Sequence, residues 1–339
     1  MNFSELSSNQ RRISIDLKQT YEGYREAVRT AQQYAGGFHW KSVNGQDYLV
    51  KVINRRGGTK GFGRRSPETE AIYEEFIAGK ARAKEREASL EASVHELAGM
   101  ARGVLINRVP SLVAALLRKL DNYGLLGKNL MVIGTNAMYG YESVAGVMFD
   151  SGLLATTDVD LLWDSQTRLK LALLDNEVMD AGVLAILRKV DRSFEATGRG
   201  SFRAINKEGF YVDLVKQTPN PPRKRGEKNL LAENDSRPSW LPNIKWLLAS
   251  EKFASVVIGQ DGLPAPMVSP DPRAFAVYKR WLSDQPDREA IKRSRDRQQA
   301  QAVIDLVQTK FPHMPLDANA ERMFPREARS LPGNTGFAL

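Results

Sequence analysis

The pattern of apolar and polar positions divides the chain into segments of different period. Residues 4 to about 35 read as an amphipathic helix, with Ile13, Leu17, Tyr21, Tyr24 and Val28 at spacings of three and four. Gly36-Gly37 stops it. FHWKSVNGQDYLVKVI follows as two strand-like runs around Asn44-Gly45, a hairpin signal because both turn positions favour positive φ. Ser66-Pro67 opens a second long helix, to about residue 103, with Glu68 and Glu70 in its positive first turn. Its apolar stripe runs through Ile72, Phe76, Leu90, Val94 and Leu97 but is weak from Gly79 to Glu87, which predicts packing against another helix or an exposed middle. A shorter helix, Pro110 to about Tyr123, is apolar through Leu112, Leu116, Leu117 and Leu120.

From residue 128 the texture changes. KNLMVIGTNAMYGYESVAGVMFD reads as strand, Gly-Thr turn and helix, and ATTDVDLLWD as a strand. Gln166 to Leu174 and Ala181 to Val190 read as helices. GSFRAINKEGFYVDLVKQ reads as two strands about a turn near Lys207 to Gly209. These alternations describe an α/β module. A Pro-rich basic linker, PNPPRKRGEK, leads to WLPNIKWLLAS, a strand-like ASVVIG, and helices in PRAFAVYKRWLSD and DREAIKRSRDRQQAQAVIDLVQTKF. The tail from His313 is rich in Pro, Asn and Gly, and poor order is expected there. The organisation expected is a helical N-terminal module with hairpin and basic loop over 1–124, a core over 125–218, a mostly helical module over 219–312 and a tail over 313–339.

Composition narrows the chemistry. The net charge of +9 over 339 residues points to a polyanionic partner, whether nucleotide, tRNA or DNA. No cysteine is present, which excludes disulfides and thiolate metal sites. His39, His95 and His313 lie far apart in sequence, so a zinc site is not expected. The opening MNFSELSSNQRR has no signal-peptide pattern, and no apolar run approaches the roughly 20 residues of a membrane span. A cytoplasmic protein without membrane contact is the expectation.

The run around Asp158 and Asp160 carries the strongest chemical signal. Residues i and i+2 of a strand share a face, so the two carboxylates project together from an apolar strand. Burying like charges side by side is costly unless a cation compensates, and that strand holds no Lys or Arg. A hard divalent ion fits this need: Mg²⁺ takes one or two carboxylates and completes its shell with water and phosphates. Asp213 is likewise isolated in GFYVDLVKQ, and pairing of the two strands would bring it to the pair. Three carboxylates can hold two ions. Upstream, MVIG ends at Gly134, and Thr135-Asn136 opens a helix whose free N–H groups suit an anion.

Apolar strand, Gly-Thr, helix, Asp-x-Asp and a lone Asp in a later strand together resemble the DNA polymerase beta-like nucleotidyltransferase superfamily. The likeness covers about residues 128 to 217. IGTNAMYGYE, TTDVDLLWD, PDPRAFAVYKRWLSD and KRSRDRQQAQAV resemble a poorly characterised bacterial family of that fold, more distantly similar to toxin-type enzymes of abortive-infection and toxin–antitoxin systems. The resemblance implies an α+β fold: a mixed sheet with flanking helices, between a helical and hairpin N-terminal module and a helical C-terminal module. It implies transfer of a nucleoside monophosphate from an NTP to a hydroxyl with Mg²⁺ or Mn²⁺. By position, Gly134, Thr135 and Asn136 become the phosphate turn, Asp158 and Asp160 the metal ligands, and Asp213 a ligand and base. Lys279, on a C-terminal helix, is the candidate cation for the triphosphate. Two departures stand out: Thr135 replaces the usual Gly or Ser, and GVMFDSGLLAT lengthens the gap before Asp158.

Other features carry blander readings. RRGGTKGFGRR lacks the P-loop Gly-Lys-Ser/Thr, and no kinase signature follows it. It is read as a flexible loop, with Lys60, Arg64 and Arg65 as candidates for contact with a nucleic-acid backbone. Arg295 and Asp296 read as a structural or positioning pair, Trp240 and Trp246 as core, and Asp164 as the end of its strand and a helix N-cap. The favoured acceptor is tRNA or another large anion, in a toxin or defence role that would imply an antitoxin or other partner protein. Two alternatives remain: a catalytically retired scaffold that binds nucleic acid or a partner, and an interaction scaffold docking through helix 67–103.

Overall fold

The computed structural model describes residues 2–52, 58–164, 176–198, 203–217, 239–241 and 243–316. In chain order the elements begin β1 (Phe3–Glu5), α1 (Ser8–Gln33), β2 (Gly37–Val43), β3 (Gln46–Val52), β4 (Thr59–Arg64), α2 (Pro67–Gly103) and α3 (Ser111–Asn122). Next come β5 (Leu130–Ile133), a 3₁₀ turn at Gly134–Asn136, α4 (Ala137–Ala145), β6 (Val147–Phe149), α5 (Ser151–Leu154) and β7 (Asp158–Trp163). Then follow α6 (Asn176–Val190), β8 (Glu195–Ala196), β9 (Arg203–Ile205), β10 (Tyr211–Gln217) and β11 (Ser239–Leu241). The described chain closes with α7 (Lys245–Ala249), β12 (Lys252–Ile258), β13 (Pro264–Pro270), α8 (Pro272–Ser283) and α9 (Ala290–Lys310). The class is α+β. Two compact units are present: Met1–Arg11 with Ile106–Leu339, and Arg12–Leu105.

In the unit Arg12–Leu105, the expected hairpin forms as β2 and β3, with Asn44 at φ 50° and Gly45 at φ 74°. The segment read as a loop is instead partly a third strand, β4, paired to β3 with an irregularity at Leu49/Val50. Its signal was hidden because Gly61 and Gly63 leave no alternation to read. Ser66 caps α2 in a reciprocal box with Thr69. The weak middle of that helix is packed after all, through small residues: Gly79 and Ala83 are buried, and a Cβ on Gly79 would lie 2.5 Å from the Tyr34 hydroxyl.

The other unit is built on a mixed sheet of order β5-β7-β10-β9-β8. β5 runs antiparallel to β7, and β7 parallel to β10. β9 and β11 share the far edge of β10, β9 along its start and β11 along its end. Residues 4 and 5 are not helical as expected, because Phe3–Glu5 pairs with β6, inside the stretch expected to be an insertion. Val132, Val159, Leu161, Val212 and Leu214 face the larger core, which α3, α4, α6 and α9 complete. Met131, Ile133, Leu162 and Val215 face a smaller one made with Ile244, Trp246, Leu247, Ala274, Val277 and Tyr278 of the α7 and α8 region.

The ribbon β12-β13 pairs ASVVIG with PAPMVSP, a strand that its prolines had concealed. Helix α4 lies on this ribbon, with Tyr141 between Phe253 and Phe275 and its hydroxyl donating to Pro270 O at 2.8 Å. Trp246 is core, as expected. The helix expected at Gln166 to Leu174, the Asp164 cap on it, the linker 219–228 and the tail beyond 316 lie outside the described residues, as does the burial of Trp240.

Candidate active site

Alternation along β7 separates its chemistry from its packing. Val159, Leu161 and Trp163 go to the large core, while Asp158, Asp160 and Leu162 share the opposite side. Leu162 is fully buried beneath α7 and α8, and the two acids occupy the open start of the strand. The parallel register sets Asp160 beside Asp213 and Asp158 beside Tyr211. The third acid therefore joins the pair through strand pairing, as the apolar flanks of both strands require. On the other side of β7, Ile133 is the partner of Asp160, so β5 ends beside the acids.

The turn after β5 closes on them. Gly134 has φ 66°, a conformation that favours glycine, and a Cβ there would lie 2.3 Å from Asp160 Oδ2. No described side chain caps the 3₁₀ turn or the start of α4, so a ligand has access to the role a cap would fill. Thr135 and Asn136 are buried. Thr135 Oγ1 accepts from Gln299 Nε2 at 3.1 Å, which leaves its own proton to donate. Gln299 also donates to Leu153 O at 2.6 Å, so α9 clamps the turn to α5. Asn136 Nδ2 donates to Asp158 O at 2.7 Å and ties the turn to β7. Asn136 Oδ1 and Gln299 Oε1 are buried without a partner among the described residues.

The three acids differ in their surroundings. The Thr156 hydroxyl donates to Asp158. Asp213, only 6% exposed, is gripped by Arg203 of β9: Nε donates to Oδ1 at 2.7 Å and Nη2 to Oδ2 at 2.6 Å. No described group donates to the Asp160 carboxylate. Burial first, then the charges of Asp158 and Asp213, push Asp160 up to about 7, against weaker pull from Lys279 and Arg203. It is a carboxylate held in place by β7 with no donor among the described residues. Among the described residues, no group of three His, Asp or Glu side chains stands ready to hold a metal ion. The donor set that does fit a hard ion is Asp158 and Asp160, with the Gly134 backbone close by.

Lys279 is buried on α8 and donates to Asp296 Oδ1 at 2.7 Å. Arg288 Nε donates to Asp296 Oδ2 at 2.9 Å. Desolvation lowers Lys279, and its charge is felt at Asp160. The structural pair expected between Arg295 and Asp296 is corrected: Asp296 serves Lys279 and Arg288, while Arg295 Nη1 donates to Ala155 O at 3.2 Å. Adjacent helical residues point about 100° apart, which keeps Arg295 from its neighbour. Lys60, Arg64 and Arg65 belong to the other unit. Arg65 is engaged by Glu70 at 2.7 Å and lies over Trp40, Arg64 donates to Tyr48 at 3.1 Å, and Lys60 sits over Phe62.

Two residues escaped the sequence reading. Arg203 was legible: a turn centred on Glu208 pairs 205 with 211 and therefore 203 with 213. Gln299 was not, since its contact with Thr135 spans 164 positions.

A family model described as nucleotidyltransferase matches residues 111–324, more than half of the chain. No curated protein matches the chain. No solved structure matches it.

Proposed function

The chain belongs to the nucleotidyltransferase family, and from that premise we propose that it moves a nucleoside monophosphate from an NTP to an acceptor hydroxyl with a divalent cation. The observation that carries the reading is the convergence of Gly134 on Asp160, with Asp213 beside it in register. In the reaction the acceptor oxygen bonds to the α-phosphorus and gives up its proton to solvent or to a carboxylate of the cluster, the bond to the β-phosphate bridge breaks, and pyrophosphate leaves with the electron pair. The turn at Gly134–Asn136 offers backbone N–H groups and the Thr135 proton to the phosphates. Gln299 and Asn136 hold that turn against α5 and β7. Asp158 and Asp160 would hold Mg²⁺ or Mn²⁺, which supplies charge neutralisation for the triphosphate and acidifies a bound hydroxyl.

We extend the reading to an anionic acceptor, tRNA or another RNA. The net charge of +9 and the exposed basic strand β4, with Lys60 and Arg64, support it. A toxin or defence role, with an antitoxin as partner, has the resemblance of the motifs as its support. The test is incubation of the purified protein with each labelled NTP, Mg²⁺ and total cell extract. Label is expected on RNA, and Asp158→Ala and Asp160→Ala are expected to abolish it with the fold intact. Equal transfer by both variants would refute the site assignment.

The second reading, a retired scaffold, draws on Asp213 being occupied by Arg203. It expects no label on RNA or protein from wild type, yet salt-sensitive RNA binding.

A further inference from the structure

Arg203 stands where a cation is needed but is part of the chain. Its guanidinium forks onto both oxygens of Asp213, and no other described acid of the cluster is held this way. Asp160, its neighbour in register, is left without a donor among the described residues. The cluster is thus divided into a pair of acids open to an ion and a third acid already neutralised. Arg203 is also not locked in a core. Its side chain is 39% exposed, and its guanidinium lies 4.8 Å from the ring centre of Tyr211, the residue beside Asp158 in the parallel register. That ring offers a platform on which the guanidinium can rest if it leaves the carboxylate.

We infer that Arg203 is a built-in substitute cation that masks Asp213, so that the nucleotide-free protein holds one divalent ion at Asp158 and Asp160 and exposes the Asp213 site only when Arg203 is drawn away. A fork that satisfies both carboxylate oxygens excludes an ion competing for the same lone pairs. The group able to draw a guanidinium away is another oxyanion, and the phosphates of an incoming nucleotide are of that class. Arg203 is then a positioning residue that couples nucleotide arrival to completion of the metal site. The same pairing spares the nucleotide-free protein a third uncompensated carboxylate on two adjacent strands. This inference rests on the metal-dependent reading of the site, and its test separates the two.

The experiment counts Mn²⁺ ions by loss of the free-ion EPR signal, without nucleotide, for wild type, Arg203→Gln, Arg203→Lys and the double variant Arg203→Gln/Asp213→Asn. One ion is expected for wild type and two for Arg203→Gln. The double variant should return to one, because an amide is a poor ligand; a mere change of local field would leave it unlike wild type. Arg203→Lys keeps the charge without the fork and covers the case in which Arg203→Gln does not fold. Its second ion is expected at least tenfold weaker than any bound by Arg203→Gln, but present. A non-hydrolysable NTP analogue should raise the wild-type count to two. If wild type and the folded Arg203 variants each bind one ion with equal affinity, the masking role is wrong while the metal reading stands. If none binds Mn²⁺, with or without the analogue, the metal reading falls and this inference with it.

Discussion

Gly134→Ala tests the geometry of the site more directly than removal of an acid, because it adds a single carbon. Two effects separate on the structure. The backbone at φ 66° is unfavourable to an L-residue by ~1–2 kcal/mol. For a unit of this size each kcal/mol lowers Tm by about 2–4 °C. The new Cβ would also stand 2.3 Å from Asp160 Oδ2. Ordinary contact needs roughly 3.5 Å, so the carboxylate must retreat by about 1 Å. A carboxylate can rotate at little energetic cost, so the effect falls on function rather than on the fold. A displacement of that size lowers transfer by ~100-fold, or ~2.7 kcal/mol of transition-state stabilisation. Gly146→Ala is the matched control: its φ is 67°, and a Cβ there meets nothing within 4 Å. Both variants should melt lower by a similar amount in differential scanning fluorimetry, and only Gly134→Ala should lose labelled-NMP transfer and Mn²⁺ affinity. Equal transfer by the two alanine variants at saturating NTP would refute the close approach of the turn to Asp160.

Three further outcomes are expected. Asp160→Asn should raise stability in EDTA by about 1–3 kcal/mol, since a partly buried carboxylate pushed up to about 7 opposes folding at neutral pH. A lower denaturation midpoint than wild type in EDTA would contradict this. Lys279→Met should destabilise by ~2–4 kcal/mol in urea, because it leaves buried Asp296 to Arg288 alone. A loss under 1 kcal/mol, with a raised KM for NTP, would instead make Lys279 a nucleotide contact. Burial pushes Lys18 down from 10.5 to about 8. The folded chain then binds fewer protons than the unfolded one between those values, so stability rises with pH across that window and the full penalty applies below it. Lys18→Met should flatten that slope and gain of order 1 kcal/mol at pH 7, and a slope unchanged from wild type in urea melts at pH 7 to 10 would count against it.

The parts of the fold that were legible in the sequence are those whose side chains repeat. The helix α3 and the strands β7 and β10 show their period directly, and β5 shows as a continuous apolar run. Where the period is interrupted, the reading failed for identifiable reasons. β4 has glycine at alternate positions, and β13 places Pro264, Pro266 and Pro270 along a strand. The contact of Gly79 with Tyr34 shows the same limit from the other side: a residue without a side chain carried the packing. Small residues and prolines report on what approaches the backbone, which is information held by the partner.

The acids were legible for a different reason. A charged residue inside an apolar strand contradicts local preference, and such a conflict marks a site where function outweighs stability. What the sequence did not show is how the conflict is relieved. Asp158 takes a hydroxyl two residues before it, Asp213 takes a guanidinium across a tight turn, and Asp160 takes nothing among the described residues. The three acids looked equivalent in sequence, yet packing treats each differently: one has a hydroxyl, one a guanidinium and one no donor among the described residues. The one left bare is also the one that Gly134 approaches. A divalent ion, on the function proposed above, would answer that need at Asp160, beside the turn where phosphates would enter, rather than evenly among the three.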